Sequence, residues 1–137
     1  MRYVPLLVVP LLLYNAFAFL IFPNYQADFR EADLLKVTMP SGAAFELTVS
    51  TTIIVMALVL LAMEVVKAAR IGAGSIVDHV LATILLIVFV VEFLLVPEAA
   101  TGTFLVLTVI ALVDLMCGFA VSIRTASRDI TLDSPAS

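Results

Sequence analysis

The chain has 137 residues, 64% of them hydrophobic and only 13% charged, with a mean hydropathy of +1.22. Soluble domains are about 45–50% apolar and about 25% charged, so bulk water is excluded as the only solvent of this chain. Seven Lys+Arg against eleven Asp+Glu leave a net charge of −4, which argues against a nucleic-acid partner, and the single cysteine, Cys117, excludes an intrachain disulfide framework or a cysteine-cluster metal site.

Four apolar runs, 4–22, 49–71, 76–96 and 103–123, reach the roughly 20 helical residues that cross a hydrocarbon core. The alternating tracts of a transmembrane β-barrel are missing, and helices then satisfy the backbone within lipid. The expectation is a single all-α integral membrane domain over 1–137. It is a four-transmembrane-helix antiparallel bundle with a short extracytoplasmic β-hairpin before the second span.

The first run has Arg2 before it and an Ala16-Phe17-Ala18 stretch, which also suits a signal peptide. Its continuation through Phe19-Leu20-Ile21-Phe22 favours a retained span. Pro5 and Pro10 are tolerable in a membrane helix, and Pro10 is expected to bend it. The loop 23–48 carries an acidic, helix-compatible cluster at Glu31-Ala32-Asp33. A hairpin over about 34–48 follows, because Met39-Pro40-Ser41-Gly42 suits a type I turn between alternating apolar and polar positions. The other reading starts the second span near Gly42. A lone hairpin is marginal in water, so it is expected to rest on the bundle, the lipid interface or a partner's strand edge.

Glu64 lies one turn before Lys67, a spacing that suits an ion pair at the headgroup boundary. Gly72-Ala73-Gly74-Ser75 reads as a tight connection, with Ser75 and Asp78 at capping-box spacing. His79 follows at about the depth of Glu64 and is within hydrogen-bonding reach of it in this reading. Pro97 ends the third span, and Thr101 or Thr103 caps the fourth. The short connections predict that the second, third and fourth spans are sequential antiparallel neighbours. The tail 124–137 is polar and proline-containing, and is expected to be disordered towards its end. Arg2, Lys67, Arg70, Arg124 and Arg128 fall on one side against Arg30 and Lys36 on the other, which places both termini in the cytoplasm.

Ionisable residues inside spans are costly, and each is a site candidate. Asp114 lies ~16 Å from the outer end of the fourth span, near mid-membrane, with Tyr14 and Asn15 of the first span at matching depth as hydrogen-bond donors. It is either inter-helix glue or a protonatable station in an ion pathway. Ala111, Asp114, Gly118 and Ser122 share one flank, a stripe of small residues that permits close helix approach. Glu92 lies ~6 Å inside the outer boundary, within reach of Thr51, Thr52 and Thr108, and either lines an outward opening or snorkels. Glu64, Lys67, Asp78 and His79 form a polar set at the cytoplasmic side. One histidine lacks the companions of a zinc or haem site, so no metal or cofactor is expected, and Cys117 reads as a packing residue.

The runs Met63-Glu64-Val65-Val66-Lys67-Ala68-Ala69-Arg70, Gly74-Ser75-Ile76-Val77-Asp78-His79 and Val91-Glu92-Phe93-Leu94-Leu95-Val96-Pro97 carry a resemblance. So do Leu112-Val113-Asp114, Gly118-Phe119-Ala120-Val121-Ser122-Ile123-Arg124 and the Met39-Pro40-Ser41-Gly42 turn. Together they resemble a group of small four-span inner-membrane proteins of proteobacteria. The resemblance implies a bacterial cytoplasmic-membrane location and singles out Glu64, Asp78, His79, Glu92 and Asp114. It brings no activity, cofactor or catalytic residue.

No acid has an assigned base, nucleophile or metal partner, so no catalytic constellation is present. The leading expectation is a non-enzymatic membrane protein acting through helix packing, as a homo-oligomer or an accessory subunit, with lipids and itself or another membrane protein as partners. The alternative is a small oligomeric proton- or cation-coupled transporter or channel using Asp114 and Glu92. An enzyme acting on lipid or quinone ranks third, for want of basic or nucleophilic residues gathered at one interface.

Overall fold

The computed structural model of the protein describes residues 4–21, 29–71 and 76–133. Helix α1 covers Val8–Asn15 and widens into a π-helical stretch, Ala16–Ile21. A 3-10 turn at Phe29–Glu31 leads into strands β1 (Asp33–Thr38) and β2 (Ala44–Thr48), and α2 (Val49–Ile71) follows β2 with no linker. Then come α3 (Ile76–Leu95), a 3-10 turn at Pro97–Ala99, and α4 (Gly102–Asp133). Among the described residues, Val49–Arg70, Ile76–Leu95 and Gly102–Arg124 are long and apolar enough to cross a membrane, and a shorter apolar helix covers Val8–Ile21. Among the described residues, the first apolar run is therefore helical over less than its full length.

Pro10 does not act as a mid-span kink. Because α1 starts at Val8, Pro10 falls in the first turn, where backbone N–H groups have no intrahelical acceptor and a missing one costs nothing. The carbonyl of Pro5 accepts the Val8 N–H (3.1 Å) and that of Leu6 accepts the Val9 N–H (3.0 Å). At the other end of the chain, α4 continues through Asp133 where the sequence suggested a loose tail. No Gly or Pro interrupts 124–133, and helical hydrogen bonding does not stop where hydropathy falls. The expected Ser75 cap and the 72–75 connection lie outside the described residues, as does the end of the tail.

The hairpin forms as its turn dictates. The Met39 carbonyl accepts the Gly42 N–H (2.8 Å), closing the turn, and the Ala43 carbonyl accepts the Met39 N–H (2.8 Å). Gly42 has φ +85°, the left-handed position that follows a type I turn in a three-residue hairpin loop and that suits glycine. Val37 pairs with Phe45 and Lys36 with Glu46 in an antiparallel register, with a bulge between Asp33 and Leu35. Lys36 bridges Asp33 (2.9 Å) and Glu46 (3.1 Å). Its hydrogen bonds to Asp33 and then Glu46 raise its pKa, so the ion pairs are intact at neutral pH and are lost as pH rises through that raised value. β1 is exposed along its length, so the bundle does not cover it. α2 begins at Val49, which excludes a start near Gly42, and its first N–H is held by the Ala32 carbonyl (3.0 Å).

The helices do not pack in chain order. α4 lies between α2 and α3, touching both extensively, whereas α2 and α3 hardly touch; α1 rests chiefly on α2. Neighbours in the chain are therefore not always neighbours along their lengths among the described residues. The buried core joins Leu7, Leu11 and Tyr14 of α1, Ile53 and Ala57 of α2, Leu85 and Phe89 of α3, and Phe104, Leu107, Ile110 and Ala111 of α4. Such cores are stabilised by close packing even where lipid removes the hydrophobic drive between helices. Phe104 is fully buried, so Phe104→Ala is expected to lower stability in detergent by about 3–5 kcal/mol, read by thermal unfolding. Gly42→Ala meets no steric obstacle and is expected to loosen the hairpin alone, by about 1–2 kcal/mol, seen as faster amide exchange in β1 and β2 with the helices unchanged.

Candidate functional site

Two polar clusters sit at different heights in the bundle. At the end carrying the hairpin, the Tyr14 hydroxyl donates to the Glu98 carbonyl (2.8 Å) and shares a second hydrogen bond with Thr101 Oγ1 (2.8 Å). A phenol has one proton, so in this arrangement Thr101 donates to Tyr14. Thr101 Oγ1 also accepts the Phe104 N–H (3.2 Å), the N-cap bond of α4. The Tyr14 ring meets Phe104 edge-on at 5.0 Å. Thr103, the other expected cap, instead bonds Ser50 of α2 (2.8 Å). Asn15 Nδ2 donates to the Leu11 carbonyl (3.0 Å), and Asn15 also hydrogen-bonds Glu92. Glu92 Oε1 is buried without a hydrogen-bond partner among the described residues.

The second cluster lies deeper, towards the start of α3. Glu64 Oε2 accepts the Leu6 N–H (3.1 Å), so a carboxylate of α2 holds the turn that leads into α1. Asp114, Lys67 and Asp78 are within electrostatic reach of Glu64, and Asp114 is buried. His79 Nε2 shares a hydrogen bond with Ser122 Oγ, and its ring stacks on Phe119 at 5.0 Å. A Cβ at Gly118 would come within 3.3 Å of that ring. The small-residue flank of α4 thus admits the imidazole of α3 within one chain. Ala111 on the same flank is part of the core.

Several expected pairings are redirected. Tyr14 and Asn15 are not beside Asp114: Tyr14 engages the start of α4, and Asp114 lies ~18 Å further along that helix by its rise. The depth estimate assumed that α1 spans its whole apolar run, whereas α1 begins at the level of Glu64. Thr52 and Thr108 bond backbone carbonyls four residues earlier, at Thr48, the last residue of β2 (2.9 Å), and at Phe104 (2.9 Å), and Thr51 bonds Thr48 (3.0 Å). Asn15 takes the place expected of them at Glu92. His79 bonds Ser122 and not Glu64, because α4 separates α2 from α3. Lys67 is near Glu64 as expected, but Leu6, a residue with no polar side chain, supplies a bond that sequence reasoning missed. Its signal was the absence of any Ser, Thr, Asn or Asp before α1 to cap it.

Phe89, Phe104, Leu107 and Ile110, each at most 5% exposed, are part of the core that separates the two clusters. Among the described residues no three His, Cys, Asp or Glu side chains are grouped to hold a metal, and Cys117 is a half-buried free thiol. The acids can exchange protons and accept hydrogen bonds, and the Ser122 hydroxyl is hydrogen-bonded to the His79 imidazole.

Comparison with protein-family models, with curated proteins and with solved structures finds no match to this chain.

Glu64→Gln keeps an acceptor for the Leu6 N–H and is expected to be tolerated. Glu64→Ala strands that donor and is expected to cost about 1–3 kcal/mol, with the Leu6 amide losing exchange protection. Tyr14→Phe is expected to cost about 1 kcal/mol through the lost bonds at Glu98 and Thr101, read by thermal unfolding in detergent.

Proposed function

We propose that the chain is a non-enzymatic integral membrane protein of the bacterial inner membrane that works through helix packing, as a homo-oligomer or as an accessory subunit of a larger assembly. In this reading all four apolar runs cross the bilayer, 4–22 included, and both termini face the cytoplasm, as the distribution of Lys and Arg favours. The resemblance to small four-span inner-membrane proteins points to the same location.

The observation that carries the reading is how the interior polar groups are spent. Leu6–Glu64, Tyr14–Thr101, Asn15–Glu92, Ser50–Thr103 and His79–Ser122 each tie one part of the bundle to another. Among the described residues, the stretch between the clusters holds packed aromatic and aliphatic side chains of the core, such as Phe89, Phe104 and Leu107. Meanwhile the outward faces of α2, α3 and α4 present Val55, Leu58, Val80, Ile84, Val88, Val109 and Met116, all exposed, to lipid or to another protein. Contiguous apolar surface on this scale marks a face that something covers.

A second reading, a proton- or cation-coupled pathway, is favoured by the unpartnered Glu92 Oε1 and by Asp114 lying near Glu64. Flux into vesicles separates the two. The packing reading expects no proton or cation flux above protein-free vesicles, and no change in Asp114→Asn or Glu92→Gln. A flux abolished by either substitution overturns it in favour of transport. The packing reading also expects a particle larger than one chain, alone or with a co-purifying membrane protein, when the full chain is extracted in mild detergent. A monodisperse monomer with no companion counts against it. Because Gly118 faces His79 within the chain, Gly118→Leu is expected to destabilise the α3–α4 contact whether or not an oligomer forms, read as a lower unfolding temperature.

A further inference from the structure

On the second half of α2, Val59, Ala62, Met63, Val66, Lys67 and Arg70 line an open groove of about 590 Å³. Their spacing of three and four residues places them on one stripe. Val59, Met63 and Val66 are each more than half exposed. The stripe is apolar until its last turn and then carries two exposed cations. From Val59 to Arg70 it rises ~16 Å, close to the ~15 Å of one leaflet of a hydrocarbon core.

We propose that this groove seats one phospholipid with an anionic headgroup. The acyl chain lies along Val59, Met63 and Val66, and the phosphate sits between Lys67 and Arg70. Length and charge select this occupant. The apolar stripe matches one acyl chain, and its cationic end falls where a phosphodiester lies when the chain is in the core. Side chains three residues apart on a helix are neighbours, so ammonium and guanidinium can contact one phosphate together, the guanidinium in its two-pronged mode. A second copy suits the groove poorly. Two like-oriented copies in one membrane would meet at matching depths through a self-complementary face, setting Lys67 and Arg70 against their own counterparts.

The proposal rests on α2 crossing a bilayer, so the experiment first reads flotation of the full chain with phosphatidylcholine vesicles containing a minority of phosphatidylglycerol. In the floated sample, spin-labelled phosphatidylglycerol is expected to show a motionally restricted component favoured over spin-labelled phosphatidylcholine by about fivefold or more. Lys67→Gln with Arg70→Gln is expected to bring the two lipids to parity, whereas Arg124→Gln leaves the preference intact. Ala62→Trp, at an exposed position, fills the groove while keeping both cations and is expected to remove the restricted component. Added inorganic phosphate is expected not to compete, which separates a lipid from a free-anion site. Parity in the unmodified chain, a preference that survives both groove variants, or a restricted component seen only at high protein-to-lipid ratio overturns the lipid site while leaving the membrane reading standing. Failure to float defeats both.

Discussion

A helix that begins inside a bundle, away from the ends of its neighbours, exposes N–H donors that its own sequence does not satisfy. α1 is such a helix. The turn leading into it lies beside Glu64, in the last third of α2, and no Ser, Thr, Asn or Asp lies between Val4 and Leu7. Three features meet the demand: Pro5 and Pro10 remove two donors, the Pro5 and Leu6 carbonyls accept two more, and Glu64 accepts the Leu6 N–H from across the helix pair. In hydrocarbon, where water cannot stand in, an unanswered donor costs several kcal/mol. Anchoring α1 at this height also decides what its other end reaches. Tyr14 arrives at the first turn of α4, where it joins the cap of that helix to the Glu98 carbonyl.

The position of α4 follows from side chains that carry little bulk. Its inward flank holds Ala111, Asp114, Gly118 and Ser122, and His79 of α3 lies flat against the opening that Gly118 leaves. On its other side α4 meets α2, with Ser50 and Thr103 joined at their starts. Two helices consecutive in the chain are thus held apart by a third that packs against both. The acids on α2 and α4, Glu64 and Asp114, consequently come within electrostatic reach of one another, an adjacency that neither helix shows alone.

What could be read from the residues is what depends on local spacing and transfer energy. The lengths of three apolar helices, the hairpin with its Met39–Gly42 turn, the stop before Pro97 and the Thr101 cap all follow from short-range chemistry. So does the value of Gly118 as a point of close approach. Hydropathy, however, reports how far a segment extends through an apolar layer, not which neighbour it faces or at what height it starts. An apolar run read as filled by α1 sets Tyr14 and Asn15 at the depth of Asp114, and chain order read as spatial order brings His79 within reach of Glu64; the structure departs from both. The extension of α4 through Asp133 was obscured for the related reason that polarity and helicity end at different residues.

The trans bond from Glu64 to Leu6 has a consequence for assembly. During synthesis α1 emerges first, but the carboxylate that completes its opening turn lies 58 positions later in the chain. Until that segment has been made and laid alongside, the Leu6 N–H lacks this acceptor. The turn that leads into α1 is thus completed by a residue of the helix that follows it in the chain, and it gains that bond only once α2 lies against it.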